Sequence, residues 1–146
     1  AQHPGRLGFD GKYLFDGAHN PAGATALRAY LDEFVDVPLT IIFGAMRGKD
    51  IREIGQMLFP KADTLILTRP SNSRSLASED MKATALLYRS PEMLILTDSV
   101  SEALAAAENV TPAGGIILIT GSLYLVGEAK KEIQTFDLRN THSDLR

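Results

Sequence analysis

Five short apolar runs are spaced along the chain. Each is rich in β-branched or large apolar residues and is bounded by polar or turn-forming ones. The runs occupy residues 13–15, 39–43, 64–67, 93–96 and 116–119. An uninterrupted apolar run of this length is typical of a strand buried on both faces. The pattern therefore predicts a buried strand at each run.

The segments between these runs have the spacing of amphipathic helices. Apolar side chains recur at helical intervals at Ala24, Leu27, Leu31 and Phe34, at Ile51, Ile54, Met57 and Leu58, and at Ala103, Leu104 and Ala107. Strands and helices thus alternate, which is typical of an open, mostly parallel sheet. We predict a Rossmann-like α/β fold with helices on both faces of the sheet.

Polar residues indicate where the helices begin. Pro21 suits a first helical position, where its missing N–H has no intrahelical bond to lose, and Glu102 has capping-box spacing from the serine before it. The predicted N-caps are Asn20, Asp50, Ser99 and Ser122.

The two ends of the chain differ from its middle. Asp10-Gly11 lies between residues 6–9 and 12–15 and is a strong two-residue hairpin signal, which predicts an antiparallel edge strand at the N-terminus. The last residues are polar and lack an apolar stripe. We therefore predict one domain over residues 1–136 and a disordered tail over residues 137–146.

Composition narrows the class of protein. The chain has 146 residues, enough for one domain with a real core. A net charge of -3 argues against a nucleic-acid partner. No apolar run reaches the roughly 18 residues that span a bilayer, and no signal segment opens the chain. With no Cys and three His, a cytoplasmic protein without a metal site of its own is expected.

Polar residues that could bind a ligand follow three of the predicted strands. The segments are 16–21, 44–50 and 120–122. Ligands of open α/β sheets bind at the carboxyl ends of the parallel strands, where loops run into helix N-termini. We therefore expect these three loops to converge at one edge of the sheet.

Each candidate residue has a functional and a structural interpretation. Asp16 could project at the rim and bind a ribose or an amine, or it could cap a turn. His19 could bind a phosphate or carboxylate, or be merely exposed. Asn20 is most economically a helix cap. Ser122 could help a helix N-terminus hold an anion, or cap that helix while Gly121 allows the turn.

Several common catalytic motifs are missing from this sequence. It contains no Gly-x-x-x-x-Gly-Lys-Ser/Thr phosphate loop and no Gly-x-Gly-x-x-Gly after the first strand. It also lacks a Gly-x-Ser-x-Gly elbow and a His-Glu-x-x-His helix. Independent ATP hydrolysis, dinucleotide binding and the usual hydrolase chemistries are therefore not expected.

Three motifs occur in a specific order: Pro-Gly-Arg-Leu at 4–7, Asp-Gly-Ala-His-Asn-Pro at 16–21, and Thr-Gly-Ser-Leu-Tyr-Leu-Val-Gly-Glu at 120–128. Together they resemble the C-terminal domain of bifunctional dihydrofolate synthase/folylpolyglutamate synthase, in the Mur ligase superfamily. The segments at 44–50 and 70–75 are also similar to that family. The resemblance implies an ATP-dependent ligase whose N-terminal domain, with its phosphate loop and Mg²⁺ ligands, is the missing partner.

The resemblance also implies a reaction. ATP phosphorylates the carboxylate of dihydropteroate or of a folate glutamate chain, and the amine of L-glutamate attacks the acyl phosphate. A mobile C-terminal domain closing over ATP would stabilise the transferred phosphoryl group and exclude water. On this basis the chain by itself is expected to be inactive.

Roles transfer from the family only at matching positions. Asp16 resembles the carboxylate that binds the ribose or adenosine part of ATP, and Arg6 the guanidinium that reaches its phosphates. His19 is similar to the histidine near the reacting phosphate and incoming glutamate, and Ser122 to the serine that helps hold that glutamate. Lys49 is a weaker candidate for the phosphate region or the domain interface.

Some positions depart from the family pattern, and two other functions remain open. His3 stands where many relatives have tryptophan, Gly48 replaces an acidic residue, and the hairpin between Arg6 and Asp16 is short, which puts the reach of Arg6 and Lys49 in doubt. One alternative is a stand-alone Rossmann-like nucleotide or anion-binding module. The other is a Mur-type ligase domain that acts on peptidoglycan precursors.

Overall fold

The strands form one sheet. A computed structural model describes the backbone of residues 7–144 and the side chains of residues 7–139. Its strands are β1 (Gly8–Asp10), β2 (Tyr13–Asp16), β3 (Leu39–Phe43), β4 (Thr64–Leu67), β5 (Leu94–Leu96) and β6 (Ile116–Thr120). The six-stranded sheet has the order β1-β2-β6-β3-β4-β5. β1 pairs antiparallel with β2, and every other pair is parallel. The predicted sheet with its antiparallel edge strand is confirmed.

The helices cover both faces of this sheet. They are α1 (Pro21–Phe34), α2 (Ile51–Leu58), α3 (Ser78–Leu86), α4 (Val100–Val110) and α5 (Leu123–Asp144), with single 3-10 turns at Phe59–Lys61 and Pro91–Met93. Buried side chains of α1, α2 and α3 form one apolar cluster with one face of the sheet. Those of α4 and α5 form a second cluster with the other face. None of the helices in the described residues is long and apolar enough to cross a membrane.

Side-chain caps fix the starts of three helices as predicted. The Asn20 Oδ1 accepts the Gly23 N–H at 2.8 Å, so this residue has its expected capping role. Asp50 caps α2 and Ser99 caps α4. In a capping box the Glu102 carboxylate would accept the N–H of Ser99. It accepts the N–H of the preceding residue, Asp98, at 3.2 Å instead.

The hairpin turn is shifted by one residue from its predicted position. Asp10 pairs with Tyr13 as the last residue of β1, so the loop is Gly11-Lys12 rather than Asp10-Gly11. Gly11 has φ 59°, a left-handed conformation in which glycine carries no steric penalty. The glycine therefore occupies the first loop position and determines where the strands pair.

The C-terminal segment also differs from the prediction. We predicted a disordered tail over residues 137–146, whereas α5 continues to Asp144. No Gly or Pro follows Gly127, so nothing in the local sequence interrupts the helix. Helix α3 was not predicted either, since it buries only Ser78, Met81 and Ala85 and shows little apolar stripe.

Candidate functional site

Strand β6 brings the three candidate loops together. It lies between β2 and β3, and Thr120 at its end is in register with Asp16 on one side and Phe43 on the other. The N–H of Gly44 donates to the Thr120 carbonyl at 3.3 Å. The loops after β2, β3 and β6 therefore leave the sheet next to one another, as predicted.

Gly121 permits a close approach between two of these loops. Its φ is 111°, and a Cβ at this position would lie 2.2 Å from the Gly44 carbonyl oxygen and 2.8 Å from the Phe43 ring. Phe43 is the last residue of β3, and Gly44 follows it and is hydrogen-bonded to Thr120. Neither neighbour can therefore move aside easily. The chain can turn from β6 into α5 here because the residue is glycine.

Asp16 does not project from the rim as expected. Its side chain is fully buried, and Oδ1 accepts the N–H of Ala18 at 2.8 Å. This is the turn-capping interpretation, in which the carboxylate shapes the loop between β2 and α1. The carboxylate therefore lies within the loop rather than on its surface.

His19 is half-buried in the same loop. Its Nδ1 donates to the Gly17 carbonyl at 2.9 Å, because a carbonyl oxygen can only accept. In a neutral ring with this hydrogen bond, Nε2 carries the lone pair. The ring is thus held at one nitrogen and can offer the other to a ligand.

Ser122 is buried and caps α5. Its Oγ accepts the N–H groups of Tyr124 at 3.1 Å and Leu125 at 3.4 Å. The serine hydroxyl therefore occupies much of the helix end where an anion was considered. Its structural interpretation is the one that the described contacts support.

The loop after β2 packs directly on the start of α5. A Cβ on Gly17 would lie 2.3 Å from Cδ2 of Leu123, so the glycine allows this contact. Leu123 and Tyr124 nevertheless stay 59% and 62% exposed. The structure thus brings Asp16, His19 and Ser122 into one small region that is bordered by an exposed apolar pair.

Lys49 makes no described contact with Asp16, His19 or Ser122. It is exposed at the far end of the loop after β3, which an antiparallel bridge between Met46 and Ser75 fastens to the loop after β4. In residues 7–139 no described hydrogen bond or ion pair joins Lys49 to the other candidates. Arg6 lies outside the described residues.

Two contributions to this edge were not found by sequence reasoning. Glu128 on α5 holds the loop after β4, since its carboxylate accepts the Ser71 N–H at 2.6 Å and the Ser71 hydroxyl at 3.2 Å. Thr120 is fully buried beside Asp16. Both residues stand within the motif at 120–128, but the sequence analysis assigned neither of them a role of its own.

A separate cavity of about 770 Å³ lies at the opposite end of β2, between the hairpin, α4 and α5. At its wall the Tyr13 hydroxyl donates to Glu108 at 2.6 Å, and Lys12 forms an ion pair with the same carboxylate. Burial and the neighbouring Glu108 raise the pKa of Tyr13. Partial burial by itself would raise the pKa of Glu108, yet Lys12 and Tyr13 lower it below its ordinary value.

No metal site is evident in the described part of the chain. Three His, Asp or Glu side chains do not come together anywhere in it.

Comparison with known proteins gives a consistent set of similarities. The family model described as "Mur ligase, glutamate ligase domain" matches residues 7–123. The folylpolyglutamate synthase of Lacticaseibacillus casei is 34% identical over 121 residues, which are 82% of this chain and 26% of that protein. The chain thus spans about a quarter of the length of this relative.

Solved structures show the same fold. Escherichia coli FolC in complex with DHPP and ADP has a TM-score of 0.81 at 22% identity, over 92% of this chain and 32% of that one. A bifunctional folylpolyglutamate synthase/dihydrofolate synthase with Mn, AMPPNP and L-glutamate bound has a TM-score of 0.76 at 19% identity, over 90% and 32% of the respective chains.

Proposed function

Because the chain belongs to the family of Mur ligase glutamate ligase domains, we propose that it is the C-terminal domain of a cytoplasmic, ATP-dependent folylpolyglutamate synthase/dihydrofolate synthase. Such a ligase adds L-glutamate to folate or dihydropteroate through an acyl phosphate. The observation that carries the proposal is the convergence of the loops after β2, β3 and β6, two of which hold the motifs shared with this family.

The nucleotide end of the site would be formed by Asp16, Arg6 and Lys49. ATP would supply the phosphoryl group that activates the substrate carboxylate. Asp16 would bind the ribose or adenosine part after leaving Ala18, and Arg6 would pair with phosphate oxygens through its fork of N–H groups. The exposed Lys49 would reach the phosphates or the neighbouring domain.

The glutamate end of the site would be formed by His19 and Ser122. The bond to Gly17 fixes the imidazole, so Nε2 has a defined direction for a ligand near the reacting phosphate. Ser122 fixes the start of α5 and would help to hold the incoming glutamate. Together they would orient the amine for attack and help to exclude water.

The proposal requires a second domain. This chain has no phosphate loop, and its described residues hold no cluster of metal ligands. The N-terminal ATPase domain would therefore supply the phosphate cradle and most Mg²⁺ ligands, and closure of the two domains would complete the site. By itself, the chain is expected to form no amide.

The first experiment is a titration of the chain with ATP and with L-glutamate, observed by amide NMR. Weak binding that shifts signals near Asp16, His19 and Ser122 supports a ligase half-site. Submicromolar binding would instead favour a stand-alone nucleotide sensor. Formation of glutamyl amides from ATP, folate and glutamate by the chain alone would contradict the two-domain proposal.

A further inference from the structure

Thr120 differs from the other buried threonines of the sheet region. The hydroxyls of Thr40, Thr68 and Thr97 bond to Thr111 at 2.7 Å, to the Ser99 carbonyl at 2.9 Å and to the Leu67 carbonyl at 3.0 Å, respectively. Thr120 is fully buried, and its hydroxyl has no hydrogen-bond partner among the described residues. A buried hydroxyl without a partner is unfavourable and calls for an explanation.

The cross-strand neighbours of Thr120 identify a partner for this hydroxyl. Leu14 and Leu118 belong to the same apolar cluster, so Asp16 and Thr120, two positions further along β2 and β6, face that same side of the sheet. They are in register on adjacent strands, which lie about 5 Å apart. The neighbour on the other side is Phe43, whose ring offers no acceptor oxygen.

Asp16 is committed to a different bond in this structure. Its Oδ1 accepts the Ala18 N–H at 2.8 Å within the loop. A carboxylate can accept several hydrogen bonds, so donation from Thr120 does not require that Asp16 lose its other contacts. When the carboxylate rotates toward a ligand it loses the Ala18 donor, and the Thr120 hydroxyl is a donor that it can gain.

We propose that Thr120 is a positioning residue for Asp16. Its hydroxyl has no partner among the described residues of the chain by itself, and it donates to the Asp16 carboxylate once that carboxylate binds a nucleotide. The inference rests on the proposed function, because the ligand is the nucleotide assigned there. The unpaired hydroxyl thereby lowers the stability of the free domain, and its bond to Asp16 raises the affinity of the domain for the nucleotide.

Thermal unfolding of the free chain tests the first half of the proposal. Thr120→Val removes an unpaired hydroxyl at nearly constant shape and should raise Tm by about 3 °C. The matched control is Thr40→Val, on the neighbouring strand β3, which removes a paired hydroxyl and should lower Tm. A fall in Tm for both variants would show that the Thr120 hydroxyl is bonded in the free chain, and would overturn the proposal.

Nucleotide titration tests the second half. With ATP, the carboxyl ¹³C signal of Asp16 should shift in the wild type and in Thr120→Ser, which keeps the hydroxyl. Thr120→Val should bind ATP at least about tenfold more weakly, as expected for the loss of a hydrogen bond to a charged group. Wild-type affinity in Thr120→Val overturns this inference alone. No ATP response in the wild type would also overturn this inference, which places nucleotide binding on Asp16 in the chain by itself, but it would leave the proposed two-domain ligase standing.

Discussion

At the scale of single residues, the polar groups of the candidate edge form hydrogen bonds that stabilise the loops and the helix start at that edge. Asp16 caps the loop after β2, and Ser122 caps α5. The contact that orients His19 uses Nδ1 only, so Nε2 stays outside that contact. These side chains therefore hold the loops, and the proposed function would add ligand binding to that role.

Substitutions of His19 can distinguish the roles of its two ring nitrogens. In a ligase that carries this domain, we expect Asp16→Ala and His19→Ala each to lower activity at least about tenfold, or about 1.4 kcal/mol of transition-state stabilisation. His19→Gln places an amide near the Nε2 position and should retain more activity than His19→Asn, which mimics Nδ1. Steady-state kinetics checks this, and normal rates in both alanine variants would remove the assigned roles.

Because of Tyr13, we expect the free energy of unfolding of the domain to depend on pH in the alkaline range. Burial and Glu108 raise the pKa of its hydroxyl above the ordinary 10.0, so the folded chain keeps this proton when an unfolded chain has lost it. The stabilisation is complete below pH 10 and is lost as pH rises toward the folded-state pKa. We expect the free energy of unfolding to fall above pH 10, and to fall less in Tyr13→Phe. Equal slopes in urea titrations of both proteins would contradict this.

At the scale of elements, the junction between β6 and α5 organises the edge. The last strand in sequence enters the sheet between β2 and β3, so its C-terminal residues meet two loops at once. Gly121 then turns the chain across the Gly44 carbonyl, and Leu123 packs on Gly17. Three loops that are far apart in sequence are positioned by this one connection.

Gly121→Ala should disrupt the junction. The added Cβ meets a backbone oxygen, and φ is in the left-handed region, so we expect a loss of more than about 3 kcal/mol of unfolding free energy. Gly127→Ala is the matched control within α5, since a Cβ there has nothing within 4 Å. It should raise the stability by about 0.5–1 kcal/mol. Denaturant titrations that gave the two variants similar stability would contradict the role of Gly121.

At the scale of the whole molecule, the chain leaves an apolar pair exposed beside its candidate site. Leu123 and Tyr124 begin α5 and are more than half exposed. Apolar residues that border a site of this kind are candidates for contact with another domain. The proposed second domain would cover them on closure.

Tyr124→Ser should therefore impair closure of the two domains while leaving the folding of this domain nearly unchanged. Tyr124 is 62% exposed, so we expect the Tm of the chain to change by no more than about 2 °C. In a ligase containing this domain, we expect a lower kcat. Leu87→Ser is the control, because Leu87 is 64% exposed after α3 and belongs to no candidate loop. Equal kcat values for the two variants would argue against a role of Tyr124 in closure.

The sequence by itself determined the class of fold, and it predicted that the loops after β2, β3 and β6 leave the sheet next to one another. Alternating apolar runs and helical spacing predicted the parallel sheet, since burial on both faces requires uninterrupted apolar strands. Asn20, Asp50 and Ser99 predicted their helix starts because a cap is made with residues a few positions away. Ordered motifs identified the family. The structure differs from the predicted disordered tail over residues 137–146, because α5 continues to Asp144 and no Gly or Pro after Gly127 interrupts it.

Only the tertiary structure decided how the site residues are used. Asp16 is buried rather than projecting because the register of β2 with β6 and the turn at Ala18 draw its carboxylate inward. Thr120 is unlike Thr68 and Thr97 because of which residues lie on the neighbouring strands. Such differences arise between segments about a hundred residues apart in sequence. Local patterns report helix and strand periodicity, whereas burial and hydrogen-bond partners at a sheet edge depend on which strands become neighbours.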